Sequence, residues 1–201
     1  MSDVIYHLRD ISEPLVNAWV HYFADIPQVR PCVGDVFGVQ ADAIISPANC
    51  FGFMDGGIDL VYSKRFGWQL QERLQQLLRQ EWNGELPIGL AVLLGTGDPE
   101  LPYLINAPTM RAPAKVSDTL NAYLAFRASL RVIREHNERF PGSIKSVICP
   151  GLATATGEMP ADICARQMHA AYVQVVLGHS WNASSINEII NEHYRLLRLE
   201  D

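Results

Sequence analysis

Apolar positions along this chain alternate between two spacings. Short runs rich in β-branched and aliphatic residues occupy 4–8, 29–33, 43–46, 89–95, 103–106 and 144–149, and each run predicts a strand. Between them, apolar residues recur at three- and four-residue intervals. Leu15, Val16, Trp19, Val20 and Phe23 predict a helix opened by Ser12 and Pro14. Residues 58–66, closed by Gly67, predict a second helix, and 68–82, with Leu70, Leu74, Leu77 and Leu78, a third. Ser117 is expected to cap the longest helix, whose apolar face holds Leu120, Tyr123, Leu124, Phe126, Leu130, Val132 and Ile133. A helix over 160–176 follows Pro160, and an amphipathic one over 184–197 is placed to cover the sheet or a partner. Strands alternating with helices imply a three-layer α/β fold around a largely parallel, buried sheet. No linker, repeat or low-complexity stretch divides residues 1–201, so a single domain is expected.

The segment 41–67, A-D-A-I-I-S-P-A-N-C-F-G-F-M-D-G-G-I-D-L-V-Y-S-K-R-F-G, joins the patterns in the order strand, glycine loop, helix. Backbone N–H groups at such a helix start can meet an anion. Asn49 stands at the strand's exit and Asp59 ten positions later at the helix start. By residue type alone, Asn49 reads as a turn residue and Asp59 as a first-turn helix acid. A second small-residue loop, G-L-A-T-A-T-G at 151–157, follows the last strand. Ligands of open α/β sheets lie outside the carboxyl ends of strands, so a diphosphate held between these loops would meet N–H donors on both sides. Two ordinary turns fit the glycine content equally well. Thr154 and Thr156 can donate to phosphate oxygens or satisfy the local backbone.

Composition narrows the partners. A net charge of −6 argues against broad contact with nucleic acid, while an anionic small molecule remains compatible through local amides. The N-terminus, M-S-D-V-I-Y-H-L-R-D, lacks the basic start and apolar core of a signal peptide, and no apolar run reaches transmembrane length. The expectation is a cytoplasmic protein with neither nucleic acid nor membrane as partner. Cys32, Cys50, Cys149 and Cys164 are far apart and are expected to be reduced. The histidines show no ligand spacing, so neither metal nor cofactor is expected.

These residues resemble the motifs of the macro domain family, the ADP-ribose-binding α/β modules. The family's first motif, G-D-(I/V)-x…D-A-I-V-N-A-A-N…G-G-G-(V/I)-D, is approached by Gly34-Asp35-Val36, by D-A-I-I-S-P-A-N at 42–49 and by D-G-G-I-D at 55–59. Its second, P-x-I-S-T-G-x-(F/Y)-G, is approached by P-G-L-A-T-A-T-G at 150–157. The resemblance implies a three-layer α/β/α macro-domain fold with a mixed, largely parallel sheet. Its core would span about 29–178, with an N-terminal strand and helix and a C-terminal helix as additions.

The resemblance also implies roles. Asp35, with Val36 beside it, would accept from the adenine amino group, and Asn49 would bond the distal ribose. Gly56, Gly57 and Ile58 would wrap the diphosphate and that ribose, and Gly151, Ala153, Thr154, Ala155, Thr156 and Gly157 would form the second phosphate loop. In the hydrolase branch resembling the MacroD type, Asp59 would activate water near the anomeric carbon. The implied function is hydrolysis of an ADP-ribosyl ester on protein or of O-acetyl-ADP-ribose. The alternatives are a non-catalytic ADP-ribose module, an ADP-ribose-1″-phosphate phosphatase, and a scaffold that reuses the fold.

The chain departs from the pattern at four places. S-P-A-N stands for N-A-A-N, Asp55 replaces a glycine, Ala155 replaces another, and Gly157 stands where many relatives carry an aromatic. Phe51, Phe53 or Met159 would have to supply the missing contact. Cys50 is expected to pack in the core, Arg111 and Lys115 to lie in a solvated loop, and His169 to be packed or on the surface.

Overall fold

The computed structural model describes residues 4–198, so the first three and last three positions of the expected domain lie outside the described residues. Six strands, β1 (Ile5–Asp10), β2 (Val29–Val33), β3 (Ala43–Ser46), β4 (Val92–Gly95), β5 (Tyr103–Asn106) and β6 (Ser146–Cys149), form one sheet in the order β2-β1-β6-β3-β5-β4. Every pairing is parallel except β4 with β5. β3 and β5 coincide with the apolar runs read from the sequence. All four residues of β3 are buried, as covering both faces of a parallel strand requires.

Helices α1 (Glu13–Tyr22), α4 (Asn121–Arg139) and α5 (Ala161–Val175) cover one face. Tyr6 and Leu8 of β1, Ala43 and Ile45 of β3, and Val147 and Cys149 of β6 point into this layer. They meet Leu15, Val16 and Trp19 of α1, Phe126 and Leu130 of α4, and Cys164, Ala165 and Met168 of α5. Helices α2 (Gly57–Phe66) and α3 (Gln69–Glu81) cover the opposite face, where Ile44, Leu104 and Ile148 pack on Tyr62, Phe66, Leu70, Leu74 and Leu78. The leucines of α3 fall at four-residue intervals, which puts them on one stripe. A final helix, α6 (Ile186–Leu197), rests on α5. Gln167 of α5 donates to the Leu196 carbonyl at 3.1 Å, and Arg166 donates to that of Arg198. No helix among the described residues is long and apolar enough to cross a membrane.

Several boundaries differ from the sequence reading, three of them for reasons that the hydrogen bonds show. The longest helix begins at Asn121, not at Ser117. The chain turns first at Val116–Thr119, where the Thr119 hydroxyl donates to the Val116 carbonyl and accepts from the Asn121 N–H, the task expected of Ser117. β4 starts at Val92 because 87–90 form a turn closed by the Leu90 N–H on the Pro87 carbonyl, with Gly89 at φ +94°. β6 starts at Ser146, and Ile144 is instead held by the Asn137 side chain.

Candidate functional site

Five parallel strands bring their carboxyl ends to one edge of the sheet. β3 and β6 are neighbours there, so the loops that leave them flank one crevice. The segment after β5 ties the two together. Thr109 N–H donates to the Ala48 carbonyl at 3.0 Å, Cys50 N–H to Arg111 at 3.2 Å, and Val116 N–H to Gly157 at 2.9 Å. Beyond β6, Asp10 at the end of β1 accepts from the Gly151 N–H at 3.0 Å. The crevice therefore lies beside the inserted β6, where the strand order reverses.

Side chains stitch the first loop. Asn49 Oδ1 accepts from the N–H groups of Phe51 and Phe53 at 3.0 and 3.3 Å, and its Nδ2 donates to the Phe53 carbonyl at 2.8 Å. The turn reading of Asn49 is thus realised, and the second Nδ2 hydrogen is what it can still offer a ribose hydroxyl. Gln71 and Ser63 hold the two ends of Met54 through its N–H and carbonyl. Gly56 and Gly57 are exposed, and a methyl group added to either would touch nothing. Gly57 adopts φ +54°, a conformation that suits glycine. No side chain caps α2, so its first turn presents backbone N–H groups at the crevice.

Asp59 lies in the first turn of this helix and is buried. Its Oδ1 accepts from the Ser46 hydroxyl at 2.5 Å. Burial pushes the carboxyl up to about 7, against which the Ser46 hydrogen bond pulls downward. Asp59 is thus a carboxyl beneath the loop, poised to change charge near neutrality. Asp55 is exposed on the rim.

Packing shapes the second loop. A side chain at Gly157 would collide with the carbonyl of Ala153 and with Val116, and one at Gly151 would collide with Thr154, Leu15 and Asp10. Gly157 therefore has no room for the aromatic that many relatives carry there. Ala153 adopts φ +62° and its carbonyl accepts from the Met159 N–H at 3.0 Å. Ala155 and Thr156 are exposed and Thr154 is half-buried. Met159 is buried in the core, which removes it as a substitute contact; Phe53 is exposed, and Phe51 lies under Arg111 at 5.0 Å.

The remaining candidates lie at the margins of this edge or away from it. Asp35 is exposed and accepts from the Phe37 N–H at 2.9 Å in a tight turn, while Val36 is buried against Ile44 and Tyr62. Arg9 of β1 props this turn by donating to the Asp35 carbonyl at 2.8 Å. Arg111 pairs with Glu85 and Lys115 with Glu158, each at 2.7 Å, in a solvated loop. Cys50 is buried and burial raises its thiol; the four thiols are free, with Cys32 exposed. His169 packs edge-on against Phe23. It also lines a cavity of about 400 Å³ between α5 and α6, with Trp181, Glu192 and Arg195, away from the crevice. The sequence reading missed two contributors, Arg9 and Ser46. Ser46 was visible only as the first letter of S-P-A-N.

Fold and loops together define an α/β/α protein with a loop-lined crevice at the carboxyl edge of its sheet. The model of the macro domain matches residues 45–168, and the chain belongs to the macro domain family. A protein of Aquifex aeolicus is 31% identical over 140 residues, covering 70% of this chain and 78% of its own length. The DNA ADP-ribosyl glycohydrolase of Mycobacterium tuberculosis is 30% identical over 146 residues, 71% of this chain but 38% of that longer protein. Among solved structures, the macrodomain of Mycobacterium tuberculosis DarG superposes with a TM-score of 0.59 at 25% identity, covering 70% of this chain and 87% of its own. The Oceanobacillus iheyensis macrodomain with ADP gives 0.60 at 19% identity, covering 82% and 88%.

Proposed function

We propose that the crevice binds the ADP-ribosyl group and that Asp59 activates water to release it from an ester-linked carrier. One observation supports this above the others. A buried carboxyl whose ionisation falls at about 7 sits directly behind the open Gly56–Gly57 backbone, ten residues after Asn49. The best general base has its pKa near the working pH, and burial supplies that here. In the proposed step the Asp59 carboxylate removes a proton from water as the water oxygen bonds the anomeric carbon. The bond from that carbon to the ester oxygen breaks, and the carrier leaves as a carboxylate. The diphosphate would lie between the N–H groups of the α2 first turn and the loop 151–157, with Asp35 and Val36 at the adenine end. Asn49, locked by its own loop, would fix the distal ribose through its remaining hydrogen.

A titration calorimetry experiment with ADP-ribose, and AMP as control, tests the binding half. Selective uptake of ADP-ribose is expected; no heat at millimolar ligand overturns it. Turnover is then followed on an ADP-ribosylated acidic peptide and on ADP-ribosylated DNA. The second carrier is included because the mycobacterial relative is named for DNA, and net charge alone argued against nucleic acid. Asp59→Asn is expected to lower turnover by roughly 10²- to 10⁴-fold while leaving ADP-ribose affinity within about threefold. A second reading, a binding module without turnover, is favoured by the inward turn of Asp59 onto Ser46. Binding without release from either carrier would select it.

A further inference from the structure

Beneath the crevice lies a polar group to which no role has yet been given. Asn106 ends β5 fully buried, and neither atom of its side-chain amide has a hydrogen-bond partner among the described residues. Buried amides are nearly always paired, so an orphaned one calls for a partner that arrives or moves. β5 runs parallel to β3 with Asn106 in register with Ser46, and the Ala107 N–H continues the ladder to the Ser46 carbonyl at 3.0 Å. Registered neighbours in a parallel pair face the same side, one strand spacing apart. The Asn106 amide thus stands next to the Ser46 hydroxyl, on the face covered by α2, and that hydroxyl already holds Asp59.

We propose that Ser46 and Asn106 are positioning residues for Asp59: the hydroxyl fixes one carboxyl oxygen, and the unpartnered amide on the next strand receives the carboxyl in either protonation state. An amide carries both donor and acceptor. It can donate to a carboxylate or accept from a carboxylic acid without rearranging the strands. The serine is what makes this arrangement compact, since its hydroxyl donates from a short side chain rooted in the sheet. This inference rests on the reading of Asp59 as the water-activating group.

Few other ionisable groups bear on Asp59. Neither Ser46 nor Asn106, the residues facing it from the sheet, titrates. In α2, Tyr62 lies nearby; its hydroxyl donates to the Ile45 carbonyl at 3.1 Å, and burial keeps it protonated. Cys149 of β6 and Asp10 of β1 lie beyond that phenol, and Asp55 is on the exposed rim. A change at Ser46 or Asn106 should therefore read out directly in the protonation of Asp59.

The test is the carboxyl-carbon NMR titration of Asp59 in the full chain, its signal assigned by its loss in Asp59→Asn. Ser46→Ala should move the midpoint upward by about one pH unit, since the hydroxyl favours the charged form. Ser46→Thr should restore it, and Asn106→Ala should shift it in the same direction by less, because an amide holds a carboxylate more strongly than a carboxylic acid. ADP-ribose affinity should stay within about twofold in all three, as a positioning role away from the diphosphate requires. Where turnover is measurable, the acid limb of the kcat/KM profile should follow the NMR midpoint. A midpoint unchanged in both Ser46→Ala and Asn106→Ala overturns the proposal, whatever the turnover. Variants that show the shifts, with a wild type that releases no ADP-ribose from any carrier, overturn the hydrolase reading and leave the positioning pair standing.

Discussion

The two loops that flank the crevice are built on opposite principles. The loop after β3 is tied by side chains (Asn49, Ser63 and Gln71) and leaves open space above Gly56 and Gly57. The loop after β6 has one side-chain tie, Asp10 to the Gly151 N–H, and is otherwise held by contact, its glycines at 151 and 157 jammed against neighbours. Glycine thus means two things in one molecule. At 56 and 57 it clears a path to the backbone from outside, and at 151 and 157 it lets the chain close on itself. The first arrangement keeps a surface free for a ligand. The second fixes a shape, which is what a cradle needs if it is to be in place before the ligand arrives.

The comparison is sharpest in charge, because the first loop covers a buried titratable group. Folding holds the Asp59 carboxyl up at about 7 from an ordinary 3.8, so the folded chain keeps a proton that the unfolded chain releases. Stability from this group is complete below the ordinary value and is lost progressively as pH rises to about 7, by on the order of a few kcal/mol. Urea unfolding from pH 4 to 8 should show that decline, and Asp59→Asn should flatten it. A decline of equal size in the variant would remove Asp59 as its source.

Breaking the jammed loop comes next in size. Gly157→Ala should cost about 1–3 kcal/mol, because the methyl group meets a backbone carbonyl that cannot move aside. For a chain of this length, that is a fall in Tm of several degrees. Gly57→Ala should cost about 1–2 kcal/mol by backbone strain alone, with no collision. A Gly157→Ala chain as stable as the parent would show that position 157 is not closed by contact. The smallest effect is expected at Ala153, left-handed without being glycine: Ala153→Gly should raise stability by less than about 1 kcal/mol. Thermal melts on one protein batch would resolve all three.

Much of this was legible in the sequence, for physical reasons. β3 and β5 were readable to the residue because buried strands need unbroken apolar runs, and the runs stop at Ser46 and Asn106. The α3 stripe followed from helical spacing, but the α2 face did not: α2 buries Asp59, Tyr62, Ser63 and Phe66 and leaves Val61 exposed. Ser117 misled because a serine before an apolar stretch has the chemistry of a cap, and only the turn at Val116–Thr119 shows that Thr119 takes the task. The positions of the two loops were readable from glycine and from the family motifs. The difference between open and jammed glycines was not, because it depends on how the second loop folds back onto its own Ala153 and Thr154 and on Val116, Leu15 and Asp10, distant in sequence. The Ser46–Asp59 hydrogen bond was hidden for the same reason. Each residue had a sufficient local explanation, and pairing them required knowing that α2 folds back over the end of β3.

The strand order carries a consequence for how this molecule comes into being. β6, the last strand to be made, sits between β1 and β3, with β2 outside one and β5 and β4 outside the other. Until residues 146–149 arrive, the sheet can exist only as two separate ribbons. Insertion of one four-residue strand then joins them and creates the crevice in the same event, since the loop 151–157 is its continuation. The crevice is therefore complete only once the sheet is joined, and a chain stalled before that would expose two unpaired edges to other chains.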